Sequence, residues 1–180
     1  MMNTPKILRA VAFAVKAHDG QIRKFENKPY VLHCIRVAEK VARVTDDEDV
    51  ICAALLHDVL EDCPNIQPID IYENFGGYVL HLVKELTDSP KSVGNREHRK
   101  RIDTERLAWA SAETQTIKCG DIIDNVPSIV EHDKNFAPRF IREKQTLIKV
   151  LDRANTELWE EANNLIQESA KKLLLEEVTE

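Results

Sequence analysis

The sequence has no apolar run long enough to span a bilayer, and its start, MMNTPKILRAVAFAVKAHDG, reads as an amphipathic helix and not as a signal peptide. A cytoplasmic protein with no membrane partner is the expectation. Glycine and proline are scarce, five and seven in 180 residues, which leaves little of the turn chemistry that a many-stranded β fold needs. Apolar residues recur instead every three or four positions, the period of helices. The four cysteines, Cys34, Cys52, Cys63 and Cys119, show no CxxC spacing. They read as small core residues of a reducing compartment, with no disulfide. Excess positive charge is also missing. A net charge of −6 argues against nucleic acid as a partner, because such binding rests on Lys and Arg neutralising phosphates. It leaves room for a local basic pocket that takes a small phosphorylated ligand.

What is present reads as one all-α domain over residues 1–180, with a motif-bearing core at about 7–150 and a helical extension at about 151–178. Helices are expected over about 5–18, 30–44, 69–74, 78–85, 96–112 and 113–131, and as one long final helix over about 138–177. Thr45 and Glu48 in TDDE have capping-box spacing, opening a helix that carries ALLHDVLED, Ala54–Asp62, and stops at CPNIQP. Gly94 after SPKSV marks the expected mobile loop. Trp159 and the leucines of the final helix could pack on the chain's own core or on a second subunit, which leaves a homo-oligomer open.

ALLHDVLED sets a histidine and three carboxylates directly behind a run, Val50 to Leu56, that is apolar on every side. On an uninterrupted helix with His57 at zero, Glu61 falls near about 40°, Asp58 near about 100° and Asp62 near about 140°. Four polar side chains then share one arc while Val59 and Leu60 face away. A helix that enters the core in this way directs its polar end toward a cleft. Crowding three carboxylates there is costly unless a cation or hydrogen-bond donors compensate. A divalent metal would do so.

Two other stretches offer further ligands. His33 lies among apolar neighbours in PYVLHCIRVAE, where, taken alone, a satisfied core histidine is the commoner reading. Asp121 in TIKCGDIIDNV shares a helix face with Lys118 and Asn125, three and four residues away.

In order these give H, then HD, then D. The pattern resembles the HD superfamily of metal-dependent phosphohydrolases. HDGQIRKFENKPYVLH, ALLHDVLED, ELTD and IKCGDIIDN resemble, more closely, the hydrolase domain of the RelA/SpoT proteins and the free-standing small alarmone hydrolases. The resemblance implies an all-α HD-domain fold and makes His33, His57, Asp58 and Asp121 the metal ligands. Two imidazoles and two carboxylates suit Mn²⁺, which acts as a Lewis acid and acidifies water. Glu61 and Asp62 would orient that water and take its proton. Arg23, Lys24 and Asn125 match substrate contacts, and Arg96, Arg139 and Arg142 correspond to further basic ones. The implied activity is Mn²⁺-dependent removal of the 3′-pyrophosphate from a nucleotide partner such as ppGpp or ppApp.

The chain departs from the metazoan members of that family in places. Its loop from Lys24 to Pro29 is one residue shorter, the stretch after ELTD is longer, and RFIREKQ lacks a tyrosine that follows their substrate arginine. These changes touch base recognition and phosphate placement. An HD-type nucleotidase, an NADPH phosphatase and a non-catalytic nucleotide-binding module are the alternatives.

Overall fold

The computed structural model describes residues 5–179, with side chains through residue 176. Along them run α1 (Lys6–Ala17), α2 (Val31–Ala42), α3 (Glu48–Leu56), α4 (Val59–Asp62), α5 (Pro68–Phe75), α6 (Gly77–Leu86), α7 (Arg96–Trp109), α8 (Ala112–His132), α9 (Ala137–Leu147) and α10 (Thr156–Thr179). Extended pairing among the described residues is limited to one antiparallel bridge, Ile22 to Pro29. The protein is all-α, as its periodicity indicates.

α3 is the axis of the core. Every residue from Val50 to Leu56 is buried, so the helix has no polar face and must be enclosed. α1, α2, α6 and α8 pack around it. Each large aliphatic side chain buried in this way contributes about 1.5–3 kcal/mol, so the backbone leading into His57 is held by packing on all sides. The four cysteines are buried and free. No helix among the described residues is long and apolar enough to cross a membrane.

Three local expectations are corrected. Thr45 and Glu48 form no capping box. Asp47 is the N-cap of α3, accepting from Asp49 N–H at 2.8 Å, while Thr45 Oγ1 accepts from Asp47 N–H at 3.1 Å. A carboxylate close to the first free N–H groups is the stronger acceptor. The helix that carries ALLHDVLED is also interrupted: it opens after Leu56, with Asp58 at φ −97° and ψ −5°, and resumes as α4.

The long final helix is two helices. The chain leaves α9 at Leu147, makes a 3₁₀ turn over Ile148–Val150 and restarts at Thr156. Buried side chains of α8 satisfy this break. Gln115 accepts from Arg153 N–H at 2.8 Å and donates to the Leu107 carbonyl at 2.8 Å, and Thr116 Oγ1 accepts from Asn155 N–H at 2.9 Å. Asn155 then caps α10, accepting from Glu157 N–H at 3.0 Å. α10 folds back on α8 and α9.

Between α1 and α2 the chain forms a tight loop. Arg23 N–H donates to the Lys28 carbonyl and Tyr30 N–H to the Gln21 carbonyl, both at 2.9 Å. The reversal passes through Asn27 at φ 51°, a left-handed conformation that Asn tolerates better than most residues. The loop sets Arg23 against α8.

Candidate active site

His33 from α2, His57 and Asp58 from the α3–α4 joint, and Asp121 from α8 converge on one point. His57 Nε2 lies 3.1 Å from Asp58 Oδ2, and His33 Nε2 lies 3.5 Å from Asp58 Oδ2 and 3.4 Å from Asp121 Oδ1. His57 Nε2 is 4.0 Å from Asp121 Oδ1. Adjacent residues of an unbroken helix point about 100° apart. Opening the backbone at Asp58 turns both side chains of the HD pair to the same place, so the uninterrupted arc expected from the sequence is replaced by a joint. Glu61 and Asp62, on α4, lie at the solvent-facing rim.

The outer nitrogen of each histidine is already engaged. His57 Nδ1–H donates to the Ala54 carbonyl at 2.8 Å, and His33 Nδ1–H donates to Asp124 Oδ2 at 2.7 Å. A carbonyl can only accept, and the Asp124 carboxylate is ionised, so each Nδ1 carries a proton and each Nε2 faces the cluster. Those two Nε2 atoms are buried and have no hydrogen-bond partner. Buried polar atoms without a hydrogen-bond partner are expensive, and here they point at two carboxylates. The ligand atoms of His33, His57 and Asp58 lie within 4.8 Å of one another. With Asp121 they form a nitrogen and oxygen donor set that fits a first-row divalent cation.

Backing groups hold the carboxylates charged. Burial disfavours ionisation of Asp58 and Asp121, yet His57 and His33 around Asp58, and Lys118 and His33 around Asp121, hold both well below the usual carboxylate range. Lys118 Nζ is 2.9 Å from Asp121 Oδ2, and Asn125 donates to Asp121 Oδ1. Tyr30 OH donates to Asp58 Oδ2 at 2.8 Å. Burial works against a charged His33, but the carboxylates of Asp121, Asp124 and Asp58 around it outweigh that and push it up to about 10. A cation at the cluster therefore competes with a proton. At the rim, partial burial and then the charges of Asp88 and Asp58 push the Glu61 carboxyl up to about 7. Burial and Asp58 raise Asp62 as well.

Beside the cluster, a cleft of about 650 Å³ runs between α7 and α9 and is lined by Asp88, Lys100, Lys118, Arg139, Arg142 and Lys144 among others. Lys118 joins it to the cluster. The basic residues singled out in the sequence lie at different depths. Arg23 donates to Asn125 Oδ1 at 3.0 Å and lies 3.7 Å from Asp124, next to the cluster. Lys24 turns outward to Asp133 at 3.0 Å, with its side chain 74% exposed. Arg96 is bidentate to Glu143, at 2.8 and 2.7 Å, and Arg139 shares that carboxylate at 3.3 Å. Arg142 lines the cleft.

The model of the HD domain matches residues 10–118, which include His33, His57 and Asp58 and amount to more than half of the chain. The chain belongs to the HD-domain family. Its relatives include pyrophosphohydrolases and probable GTP diphosphokinases of plants. The HD domain is 39% identical over 124 residues to the guanosine-3′,5′-bis(diphosphate) 3′-pyrophosphohydrolase MESH1 of Drosophila melanogaster, covering 67% of this chain and 68% of that protein. It is 36% identical over 127 residues to the guanosine-3′,5′-bis(diphosphate) 3′-pyrophosphohydrolase of Aquifex aeolicus, a match that spans 69% of this chain and only 18% of that longer protein. In three dimensions it superposes with a TM-score of 0.83 on a metazoan ortholog of SpoT that hydrolyzes ppGpp, at 26% identity and over 93% of this chain and 97% of the other.

Sequence reasoning passed over several residues of the HD site. Asp124 is the most consequential. It accepts from His33 and also pairs with Arg36 at 2.7 Å and Lys40 at 3.4 Å. It sits three residues after Asp121 on the same helix face, so the spacing rule applied to Lys118 and Asn125 would have found it. Tyr30 was legible in the same way, three residues before His33 and N-terminal to α2. Asp88 closes the ELTD motif already noted, whereas Lys100 and Lys144 had no such signal, because α7 and α9 meet only in the folded chain.

Proposed function

We propose that the protein removes the 3′-pyrophosphate of guanosine alarmones such as ppGpp, and of the adenosine analogue ppApp, with Mn²⁺ held by His33, His57, Asp58 and Asp121. The products are pyrophosphate and the 5′-phosphorylated nucleoside. One observation carries this reading: two buried, unpartnered imidazole nitrogens converge with two ionised carboxylates beside a cleft of about 650 Å³ lined by paired lysines, arginines and carboxylates. The names of the Drosophila and Aquifex relatives supply the substrate.

A divalent ion in this donor set supplies Lewis acidity and lowers the pKa of water. The protein's own groups do the rest. Glu61, raised toward neutrality, takes a proton from the attacking water as its oxygen bonds to the 3′-phosphorus. The bond between that phosphorus and the ribose 3′-oxygen breaks, and the oxygen leaves as a hydroxyl with a proton supplied from the Glu61 and Asp62 rim. Tyr30 and Lys118 orient Asp58 and Asp121 and hold them charged. Arg23 and Asn125, adjacent to the cluster, meet phosphate oxygens, while Arg96, Arg139 and Arg142 add positive potential along the cleft and Lys24 does so from outside.

The test is a panel of ppGpp, ppApp, NADPH and deoxynucleoside monophosphates incubated with Mn²⁺ and resolved by product chromatography. Pyrophosphate from the first two is the expected result. Orthophosphate from the monophosphates or NADPH, with no pyrophosphate from ppGpp, would replace this reading with an HD nucleotidase or an NADPH phosphatase. Tight ppGpp binding without any product would mark a binding module.

A further inference from the structure

The cleft between α7 and α9 contains a positive charge that the protein does not neutralise. Most cations on its walls are spoken for. Lys100 pairs with Asp88, Lys118 with Asp121 at 2.9 Å, Arg101 with Glu105 at 3.1 Å and Arg139 with Glu143 at 3.3 Å. Lys144 forms no ion pair among the described residues, and its ammonium rests 4.9 Å from the centre of the Phe140 ring. It is half-buried on the inner wall.

Such a placement is unfavourable in the free protein. Burial and the neighbouring Lys118 charge push the Lys144 ammonium down to about 8, because Asp121 and Asp88, neither within ion-pair distance, only partly offset the lost hydration. The chain has a net charge of −6, so carboxylates are plentiful, and Lys144 is nevertheless left with only a ring face. An anion with several oxygens that enters the cleft would meet Lys144 on its inner wall, with the exposed Arg142 elsewhere on the lining. It would recover charge-assisted hydrogen bonds without first breaking an internal pair.

We infer that Lys144, together with Arg142, forms a subsite for a diphosphate group of the substrate nucleotide. This rests on the pyrophosphohydrolase reading above and deepens it. Two diphosphates of ppGpp share that chemistry, the 3′-pyrophosphate that departs and the 5′-diphosphate that stays with the nucleoside. RFIREKQ, where the sequence lacks the tyrosine of the metazoan pattern, contains both residues.

Calorimetric binding separates the cases without turnover. Inorganic pyrophosphate and GDP are each titrated into the wild-type protein and into Lys144→Met and Lys144→Arg, at fixed Mn²⁺ concentration. Lys144→Met should weaken one of the two ligands by about tenfold, a charge-assisted contact being worth roughly that, and Lys144→Arg should retain most of the affinity. Weakening for pyrophosphate assigns the subsite to the departing group, and weakening for GDP assigns it to the 5′ end. Changes below threefold for both ligands, in a Lys144→Met protein with unaltered circular dichroism, would overturn the inference. A wild-type protein that binds these ligands through Lys144 but yields no pyrophosphate from ppGpp would instead overturn the proposed reaction and leave the subsite standing.

Discussion

The His/Asp cluster and the basic cleft lie side by side, joined by Lys118, yet they are built in opposite ways. The cluster hangs on α2, α3 and α8, which bury their side chains in the core, and its polar groups are oriented by fixed partners: Ala54 behind His57, Asp124 behind His33, Tyr30 on Asp58. The cleft is walled by α7 and α9, and its charges form ion pairs that a ligand can exchange, such as Arg139 with Glu143. Chemistry on a phosphorus atom needs donors held to a fraction of an ångström. Recognition of a flexible polyphosphate needs charges that can re-pair. The same fold supplies the first from its interior and the second from its surface.

Breaking the cluster should have the largest effect. Asp58→Asn keeps the size of the side chain and removes its charge, so pyrophosphate release from ppGpp should fall to background while the helical circular dichroism is unchanged. Retained activity would remove the cluster from the reaction. Glu61→Gln comes next, with a loss on the order of 10²-fold, as expected for a removed general base. Its pH dependence fixes the sign. Glu61 acts ionised, so the rate should drop as pH falls through its pKa, at or below about 7, since a bound dication nearby favours the ionised form and moves this limb downward. In Glu61→Gln the acid limb should vanish and leave a flat residual rate; a limb that survives would assign the base to another group.

Asp124→Asn acts one step further out. The carboxylate that holds His33 is itself held by Arg36 and Lys40, and losing such a backing group weakens metal binding by about 10- to 100-fold. Calorimetric titration of Mn²⁺ measures it directly. Unchanged Mn²⁺ affinity would show that His33 needs no partner behind it.

The same contrast explains what could be read in advance. The cluster's residues lie within short, strongly patterned stretches. An apolar run on all sides of α3 can only be a core helix, and HD at its end must then face inward. What failed there was the assumption of an unbroken helix, since the opening at Asp58 has no marker such as Gly or Pro. The turn after α9 failed for a different reason. Its hydrogen-bond partners, Gln115 and Thr116, come from α8, more than thirty residues earlier, so DRANTE reads as helix until that helix is in place. Asn155 was the local clue, as an N-cap residue ahead of Thr156 and Glu157. The cleft was the least legible region, because Lys100 and Lys144 come to line it with Asp88 of ELTD only through tertiary packing.

Arg23 and Lys24 bring the comparison down to two consecutive residues. In the sequence they form one basic pair, but the loop divides them. Arg23 is 11% exposed and bound to Asn125 and Asp124, as a cluster residue would be, whereas Lys24 pairs with Asp133 at the surface and covers the Phe25 ring at 4.7 Å. Arg23→Ala should therefore raise KM by about tenfold or more, consistent with a lost charge-assisted contact. Lys24→Ala has the smallest expected effect. An exposed charge acts on a polyanion through long-range attraction that falls away beyond about 8 Å at physiological ionic strength. KM should rise by no more than about threefold at low salt, and the difference from wild type should disappear as salt is added. A salt-independent loss as large as that of Arg23→Ala would mean that the loop turns Lys24 inward when substrate arrives, breaking its pair with Asp133 and making this segment as exchangeable as the walls of the cleft.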